Sequence, residues 1–164
     1  MEELITLGRK PIEIEAVSAN EIVRWRDRVF RLALAIVCDR DGAEDVTQET
    51  ISRAIRFRRQ VKSGESVEPW IRKICVRQSL NYLRSNHRTT QETQSGAAED
   101  ETTNIAVRQT LRRLTPDQSA ILALFHFEGL SYEDISTLLD IPMGTVASRL
   151  SKAKEAFRRL WEEQ

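Results

Sequence analysis

Apolar residues recur at three- and four-residue steps along most of this chain, and that spacing is typical of one buried face of an α-helix. The first stripe begins after Ser18 or Asn20, either of which can cap a helix, and it runs to about Val37. The pattern therefore predicts one amphipathic helix over this segment.

Two more helices are predicted before residue 88. Asp41 with Glu44 three residues later predicts a capping box at the start of a helix that ends near Arg59. After a polar loop, Ser66 and Pro69 mark the start of the next helix, because proline is tolerated in the first turn. The N-terminal half is expected to form a bundle of three to four helices.

The C-terminal half predicts a second group of helices. Residues 105–114 suggest one helix, and the sequence TPDQ at 115–118 combines a cap, a proline and a reciprocal glutamine. Ser131 with Asp134 predicts another capped helix. Pro142 would break an established helix but suits the first turn of a new one, so we expect a tight helix-turn-helix there.

Composition supports an all-α fold of two small domains. The 164 residues are 40% hydrophobic and 30% charged but only 6% aromatic, with 6 Gly and 4 Pro. No apolar run approaches a membrane span, and no signal-peptide pattern opens the chain, so we expect a cytoplasmic protein without membrane insertion. Cys38 and Cys75 lie in apolar stripes without a metal-binding motif, which predicts buried thiols and no metal or cofactor.

Charge is distributed in opposed segments although the formal net charge is zero. Ten Lys or Arg residues fall between Arg53 and Arg88, opposed only by Glu65 and Glu68. Residues 92–101 are acidic without a basic residue, and no large apolar residue occurs nearby to support folding.

These patterns predict four segments along the chain: an N-terminal tail at 1–18, a helical domain at 19–88, a flexible acidic linker at 89–103, and a second helical domain at 104–164.

The last helix has two distinct sides. At about 100° per residue, one side carries the apolar residues Val146, Leu150, Ala153, Phe157 and Leu160. The other side and its flank carry Thr145, Ser148, Arg149 and Lys152. Small hydrogen-bonding residues followed by cations suit a helix that enters the major groove of DNA, although a solvated face would have the same pattern.

Two motifs resemble those of a known family. The sequence AEDVTQETISRA, residues 43–54, resembles the polymerase-binding region two of bacterial sigma factors, and residues 111–160 resemble their region four. Two regions joined by an acidic linker, with no region three, resemble the extracytoplasmic-function (group four) type of the sigma-70 family. The resemblance implies a transcription initiation factor.

The resemblance also implies partners and contact residues. Core RNA polymerase would be bound through its β′ clamp helices by Asp45, Gln48, Glu49 and Arg53, and its β flap would contact region four. Promoter DNA would be contacted at the -35 element by Thr145, Ser148, Arg149 and Lys152. The -10 element would be melted and bound by Arg72, Lys73, Arg77, Asn81, Arg84 and Arg88. An anti-sigma factor is a further implied partner.

The chain departs from the family pattern at three positions. Arg77 stands where an Asn is common and Asn81 where an Asp is usual, so the -10 preference does not transfer. Ala147 replaces a basic residue near the bases, so it can meet a thymine methyl but cannot donate to guanine. Trp70 is expected to belong to the core, whereas Tyr82 fits either the core or base stacking.

Other functions remain open at this point. A helix-turn-helix regulator that never replaces a sigma factor would leave the AEDVTQET face without a role. A helical adaptor that binds only proteins would lack salt-sensitive DNA binding. Enzyme activity has little support, because no phosphate-binding loop, metalloprotease motif or catalytic triad is present.

Overall fold

The computed structural model describes residues 17–61, 66–86 and 102–163, without the side chains of residues 102–104. Within these ranges the regular structure is entirely helical, as predicted. The first bundle contains α1 (Ala19–Val23), α2 (Arg26–Val37), α3 (Arg40–Phe57) and α4 (Val67–Asn86), with a 3-10 turn at Arg58–Gln60 after α3. The second contains α5 (Thr102–Arg112), α6 (Pro116–His126), α7 (Tyr132–Leu139) and α8 (Met143–Glu162).

Three predicted segments fall wholly or largely outside the described residues. They are the N-terminal tail, most of the loop after residue 61, and the acidic linker apart from its last residues. Their roles stay predictions.

The first bundle is built around α2, α3 and α4, which pack against one another. Ile36 and Ile71 are almost completely buried at its centre. Both cysteines are buried, as predicted, and the Cys75 thiol lies 3.6 Å from the carbonyl oxygen of Val29. These thiols therefore belong to the packed interior.

The prediction of one helix up to Val37 was wrong, because the chain turns at Arg24 and Trp25. The Trp25 amide donates to the Ile22 carbonyl at 3.0 Å, three residues back, so the last turn of α1 tightens before α2 begins. Neither glycine nor proline marks this turn, and the apolar stripe continues through it. Periodicity alone therefore could not reveal the break.

The capping box predicted at Asp41 and Glu44 was also wrong, because Asp39 is the N-cap of α3. Its carboxylate accepts a hydrogen bond from the Gly42 amide at 2.8 Å. Cys38 takes a left-handed conformation with φ of 59°, which ends α2 and sets Asp39 in the extended conformation that an N-cap needs. Asp41 is then already inside the helix.

The second bundle follows its predicted caps. Thr115 with Gln118, and Ser131 with Asp134, each form a capping box. After α7 the backbone turns at Asp140, and the Ser136 hydroxyl donates to the Ile141 carbonyl at 2.6 Å. This bond and the start of α8 directly after Pro142 complete the helix-turn-helix.

The two bundles are in contact, and buried residues of both form one continuous apolar cluster. Helix α6 lies against α2 and α4. The Ser119 hydroxyl donates to the Ile36 carbonyl at 3.0 Å, and the Arg112 Nε donates to the Cys38 carbonyl at 2.9 Å. The second bundle therefore covers part of the first.

Candidate nucleic-acid and polymerase interfaces

The predicted -35 residues lie together along the first half of α8. Ser148, Arg149 and Lys152 are exposed, whereas Thr145 is half-buried. The Ser148 hydroxyl donates to the Thr145 carbonyl at 3.1 Å, which is a bond back to the preceding turn. Ala147 is half-buried beside them.

The opposite side of α8 holds the helix in place, because Val146, Leu150 and Ala153 are almost completely buried. In the described parts of the chain, neither Arg149 nor Lys152 forms an ion pair. A rigid helix therefore presents two unneutralised cations to solvent. That arrangement suits an anionic partner.

A second basic stripe runs along α4. Lys73, Arg77, Asn81 and Arg84 are exposed and fall within about 80° of one another around the helix. The stripe lies opposite the buried face, and it can follow the phosphates of a single strand. Arg88, the last of the predicted set, lies outside the described residues.

Arg72 is separated from this stripe, since it lies about 100° from Lys73 around the helix. Its side chain is only 21% exposed and forms ion pairs with Glu68 at 2.7 Å and with Glu128 at 3.4 Å. Glu128 belongs to the second bundle. The structure thus gives Arg72 protein partners that the sequence did not indicate.

The two aromatic residues of α4 pack inward. Trp70 is half-buried against the core, which agrees with its predicted role. Tyr82 also packs against the core, and its ring lies over Gly42 at the start of α3. Burial, followed by the nearby carboxylates of Asp39 and Asp45, raises the pKa of the Tyr82 phenol. These contacts favour a packing role for Tyr82 over base stacking.

The predicted polymerase-binding residues share one exposed face of α3. Asp45, Gln48, Glu49 and Arg53 are exposed and lie within about 140° around the helix. Glu49 forms an ion pair with Arg53 one turn later. The face is therefore mixed in charge and open to solvent along more than two turns.

An apolar groove on the second bundle was not predicted from the sequence. It has a volume of about 660 Å³, and Phe127 and Trp161 at its edge are 62% and 39% exposed. The residues that line it are Val107, Leu111, Leu122, His126, Phe127, Lys154, Phe157, Arg158 and Trp161. Phe157 and Trp161 stack with ring centroids 6.0 Å apart. The four-residue spacing of Phe157 and Trp161 is the signal in the sequence that could have indicated this groove. However, a buried core position for Phe157 predicts the same spacing.

The described residues lack two features. No group of three or more His, Cys, Asp and Glu side chains there could hold a metal ion. No helix among them has the length and apolar character that crossing a membrane requires.

Solved structures of other proteins have a similar fold. One is the sigma factor RpoE in complex with the anti-sigma factor NepR from Bartonella quintana, with a TM-score of 0.70 and 22% identity over 87% of this chain and 95% of that one. Another is CnrH in complex with the cytosolic domain of CnrY, with a TM-score of 0.65 and 16% identity, covering 88% of this chain and 87% of that one.

Sequence comparisons agree with the fold. Residues 22–89 match the model of sigma-70 region 2, and residues 104–157 match that of sigma-70 region 4. RNA polymerase sigma factor SigV of Bacillus subtilis is 30% identical over 156 residues, covering 92% of this chain and 94% of SigV. RNA polymerase sigma-H factor of Pseudomonas aeruginosa is 28% identical over 157 residues, covering 83% and 81% of the two chains. The chain therefore belongs to the sigma-70 family of RNA polymerase sigma factors, and its relatives include the ECF RNA polymerase sigma-E factor of Escherichia coli, which is 29% identical and covers 83% of this chain and 82% of that one.

Proposed function

We propose that this sigma factor binds core RNA polymerase through α3, contacts the -35 element through α8, and melts and binds the -10 element through α4. The observation that supports this division is the exposure of three polar faces on three separate helices, each anchored by a buried opposite side. Region 2 would occupy residues 19–88 and region 4 residues 104–164, with the acidic linker at 89–103 and the tail at 1–18.

Region 4 would place the start of α8 in the major groove. Arg149 and Lys152 can donate to guanine or to phosphates, and Ser148 can donate to or accept from a base edge. Ala147 offers only a methyl group at the same surface. We therefore expect the -35 preference to depend on Arg149 more than on Ala147.

Region 2 would hold the unpaired strand against the stripe of α4. Cations at Lys73, Arg77 and Arg84 would neutralise phosphates, while the Asn81 amide can donate and accept at a base edge. Arg88 would extend the stripe. Binding the single strand in this way shifts the melting equilibrium without any bond being made or broken by this chain.

Polymerase would be contacted at two places. The charged and polar face of α3 would dock on the β′ clamp helices, and the apolar groove of region 4 would accept the β flap. The groove supports the second assignment because it is exposed, apolar and separate from the DNA-binding side of α8. Docking at both places makes the second DNA contact effectively intramolecular.

Other properties follow from this role. The chain would act as an initiation factor without enzyme activity of its own, beside polymerase and the chromosome in the cytoplasm. A solved sigma factor of this fold is bound to an anti-sigma factor, and we extend that class of partner to this chain.

Reconstituted transcription tests the proposal. The full chain is mixed with core polymerase on a promoter library, and transcription starts are sequenced. We expect starts at promoters that share two spaced elements. Binding to DNA without core polymerase, combined with no initiation in its presence, would instead support a helix-turn-helix regulator.

Matched variants test which helix face contacts DNA and which contacts polymerase. Lys152→Ala should weaken initiation by about tenfold at promoters that depend on the -35 element, because a cation at the DNA is lost. Arg113→Ala is the control, since Arg113 is a cation of the same region that pairs with Glu163 at 3.1 Å and belongs to none of the proposed contact faces. Glu49→Lys should reduce binding of core polymerase itself. Equal effects of Lys152→Ala and Arg113→Ala would contradict the assignment of the DNA-binding side.

A further inference from the structure

Glu155 lies at the centre of the solvent-facing side of α8. At about 100° per residue it is about 180° from Val146, about 160° from Ala153 and about 140° from Leu150. These three residues of α8 are almost completely buried, whereas Glu155 is exposed. The carboxylate therefore lies opposite the side that packs against the rest of region 4.

The residues assigned to the -35 DNA lie around Glu155. Ser148 is about 20° from it, whereas Lys152 is about 60° and Arg149 about 120° away. A helix with its side chains is about 10–12 Å wide, close to the width of the major groove, so its centre faces base edges and its flanks face phosphates. A groove that receives Lys152 therefore also receives Glu155, about 4.5 Å farther along the helix.

A negative charge stands alone on this part of the chain. Glu155 is the single acidic residue between positions 141 and 161, which also contain five lysines and arginines. A carboxylate placed against phosphates would weaken DNA binding, because like charges repel. At the centre of the face it meets base edges instead, where hydrogen-bond donors are available.

The Glu155 carboxylate has no partner among the described residues. It forms no ion pair or side-chain hydrogen bond there, although Lys152 and Arg159 lie three and four positions away. The ammonium of Lys154, the preceding residue, lies over the Phe125 ring, 4.8 Å from its centroid. Both carboxylate oxygens are thus available to a donor on another molecule.

The chemistry of a carboxylate selects among the four bases. An ionised carboxylate accepts hydrogen bonds but cannot donate them. In the major groove guanine and thymine present acceptors, cytosine presents the N4 amino donor, and adenine presents a donor beside the acceptor N7. Adenine N7 would repel the second carboxylate oxygen. Cytosine is therefore the base that a carboxylate binds with the least repulsion.

We propose that Glu155 determines base specificity in the -35 element by accepting a hydrogen bond from the N4 amino group of a cytosine. The carboxylate rejects guanine and thymine at the same position, while the cations at its flanks contact phosphates. This role rests on the proposed placement of α8 in the -35 DNA, and it adds an acidic residue to the contacts assigned there.

The experiment measures initiation by the full chain with core polymerase on promoters in which every base pair of the -35 element is randomised. The unaltered chain should favour cytosine at one position by about tenfold. Glu155→Ala should remove the preference at that position alone. Glu155→Gln should change it from cytosine to adenine, because a glutamine amide can bond both N6 and N7 of adenine.

Glu162→Gln is the matched control. Glu162 is exposed on the same side of α8, about 160° from Val146, but it lies about 10 Å beyond Glu155 along the helix. It belongs to none of the proposed contact faces. Its substitution removes the same charge from the same helix and should leave every base preference unchanged.

A second measurement removes only the proposed donor. Replacing the preferred cytosine by 2-pyrimidinone, which lacks the 4-amino group, should weaken initiation by the unaltered chain about tenfold. Glu155→Ala should respond little to the same replacement, since it has no acceptor at that place. An equal loss in both proteins would contradict the hydrogen bond.

Two results would overturn the role of Glu155 and leave that of α8 intact. A change of initiation by one common factor at all -35 sequences in Glu155→Ala would place the carboxylate beside phosphates. Base preferences equal to those of the unaltered chain would mean that this side chain does not face DNA. The absence of any -35 preference in the unaltered chain would instead overturn both roles together.

Discussion

Gly42 shows how a single residue sets the geometry of region 2. A Cβ atom at this position would lie 2.5 Å from atoms of the Tyr82 ring, closer than real contacts allow. The absence of a side chain at Gly42 therefore allows the Tyr82 ring of α4 to pack against the backbone of α3. Because the polymerase-binding and -10 faces lie on these two helices, this contact positions both proposed interfaces.

Gly42→Ala should destabilise the chain by about 1–3 kcal/mol, since the added methyl group must push the Tyr82 ring or the helix aside. Thermal unfolding followed by circular dichroism measures this loss. Gly144→Ala is the matched control because nothing lies within 4 Å of a Cβ there. Because Gly144 lies inside α8, Gly144→Ala should leave the free energy of unfolding unchanged or raise it by up to about 1 kcal/mol. Equal unfolding temperatures for both variants would contradict the close-packing argument.

At the scale of helices, the sequence predicted the features that depend on residues close together in the chain. The capping boxes at Thr115 and Ser131 join residues three positions apart, so their pattern is visible in the chain itself. The cap of α3 was missed because Asp39 becomes extended only when Cys38 adopts a left-handed conformation. Nothing in the residue type of Cys38 favours that conformation.

The cap of α7 predicts a dependence on pH. Hydrogen bonds from the Ser131 hydroxyl and backbone amide lower the pKa of Asp134. The contribution of this carboxylate to stability is therefore complete above the ordinary pKa of an aspartate, and it is lost as the pH falls through the lowered value of the folded chain.

Ser131→Ala should move the pKa of Asp134 back towards its ordinary value and flatten this part of the acid unfolding curve. Titration of the Asp134 carboxyl carbon by NMR measures the shift directly. Thr145→Ala is the control, since Thr145 lies near the start of another helix and outside the contacts of Asp134. An unchanged Asp134 titration in Ser131→Ala would refute the cap as the cause.

At the scale of the whole molecule, the sequence could not predict which distant residues meet. Arg112 and Asp39 are separated by 73 positions, and Arg84 and Asp117 by 33. Each looks like an ordinary surface charge in the sequence, because pairing at this range depends on the completed fold. Helical periodicity and motif position define the three exposed faces of α3, α4 and α8, so the sequence predicted them. The sequence did not predict that Glu128 of the second bundle lies against Arg72.

The groove of region 4 gives a prediction for the assembled holoenzyme. Trp161→Glu puts a charge at its edge and should weaken initiation by about tenfold or more at promoters that need the -35 element, because an aromatic contact with the β flap is lost. Promoters with and without that element are compared in run-off transcription. Trp161→Phe keeps an apolar ring and should retain most activity. Full activity of the glutamate variant would exclude the groove as the flap site.

The close contact between Gly42 and Tyr82 also has a consequence for how the start site is chosen. The Tyr82 ring of α4 packs directly against the backbone of α3 at Gly42, so the two helices are in close contact at this point. If α3 docks on polymerase and α4 holds the single strand, as proposed, the angle at which α3 seats would set the distance from the catalytic centre of polymerase to that strand. Variation of that seating, rather than of DNA sequence alone, would shift the first transcribed nucleotide.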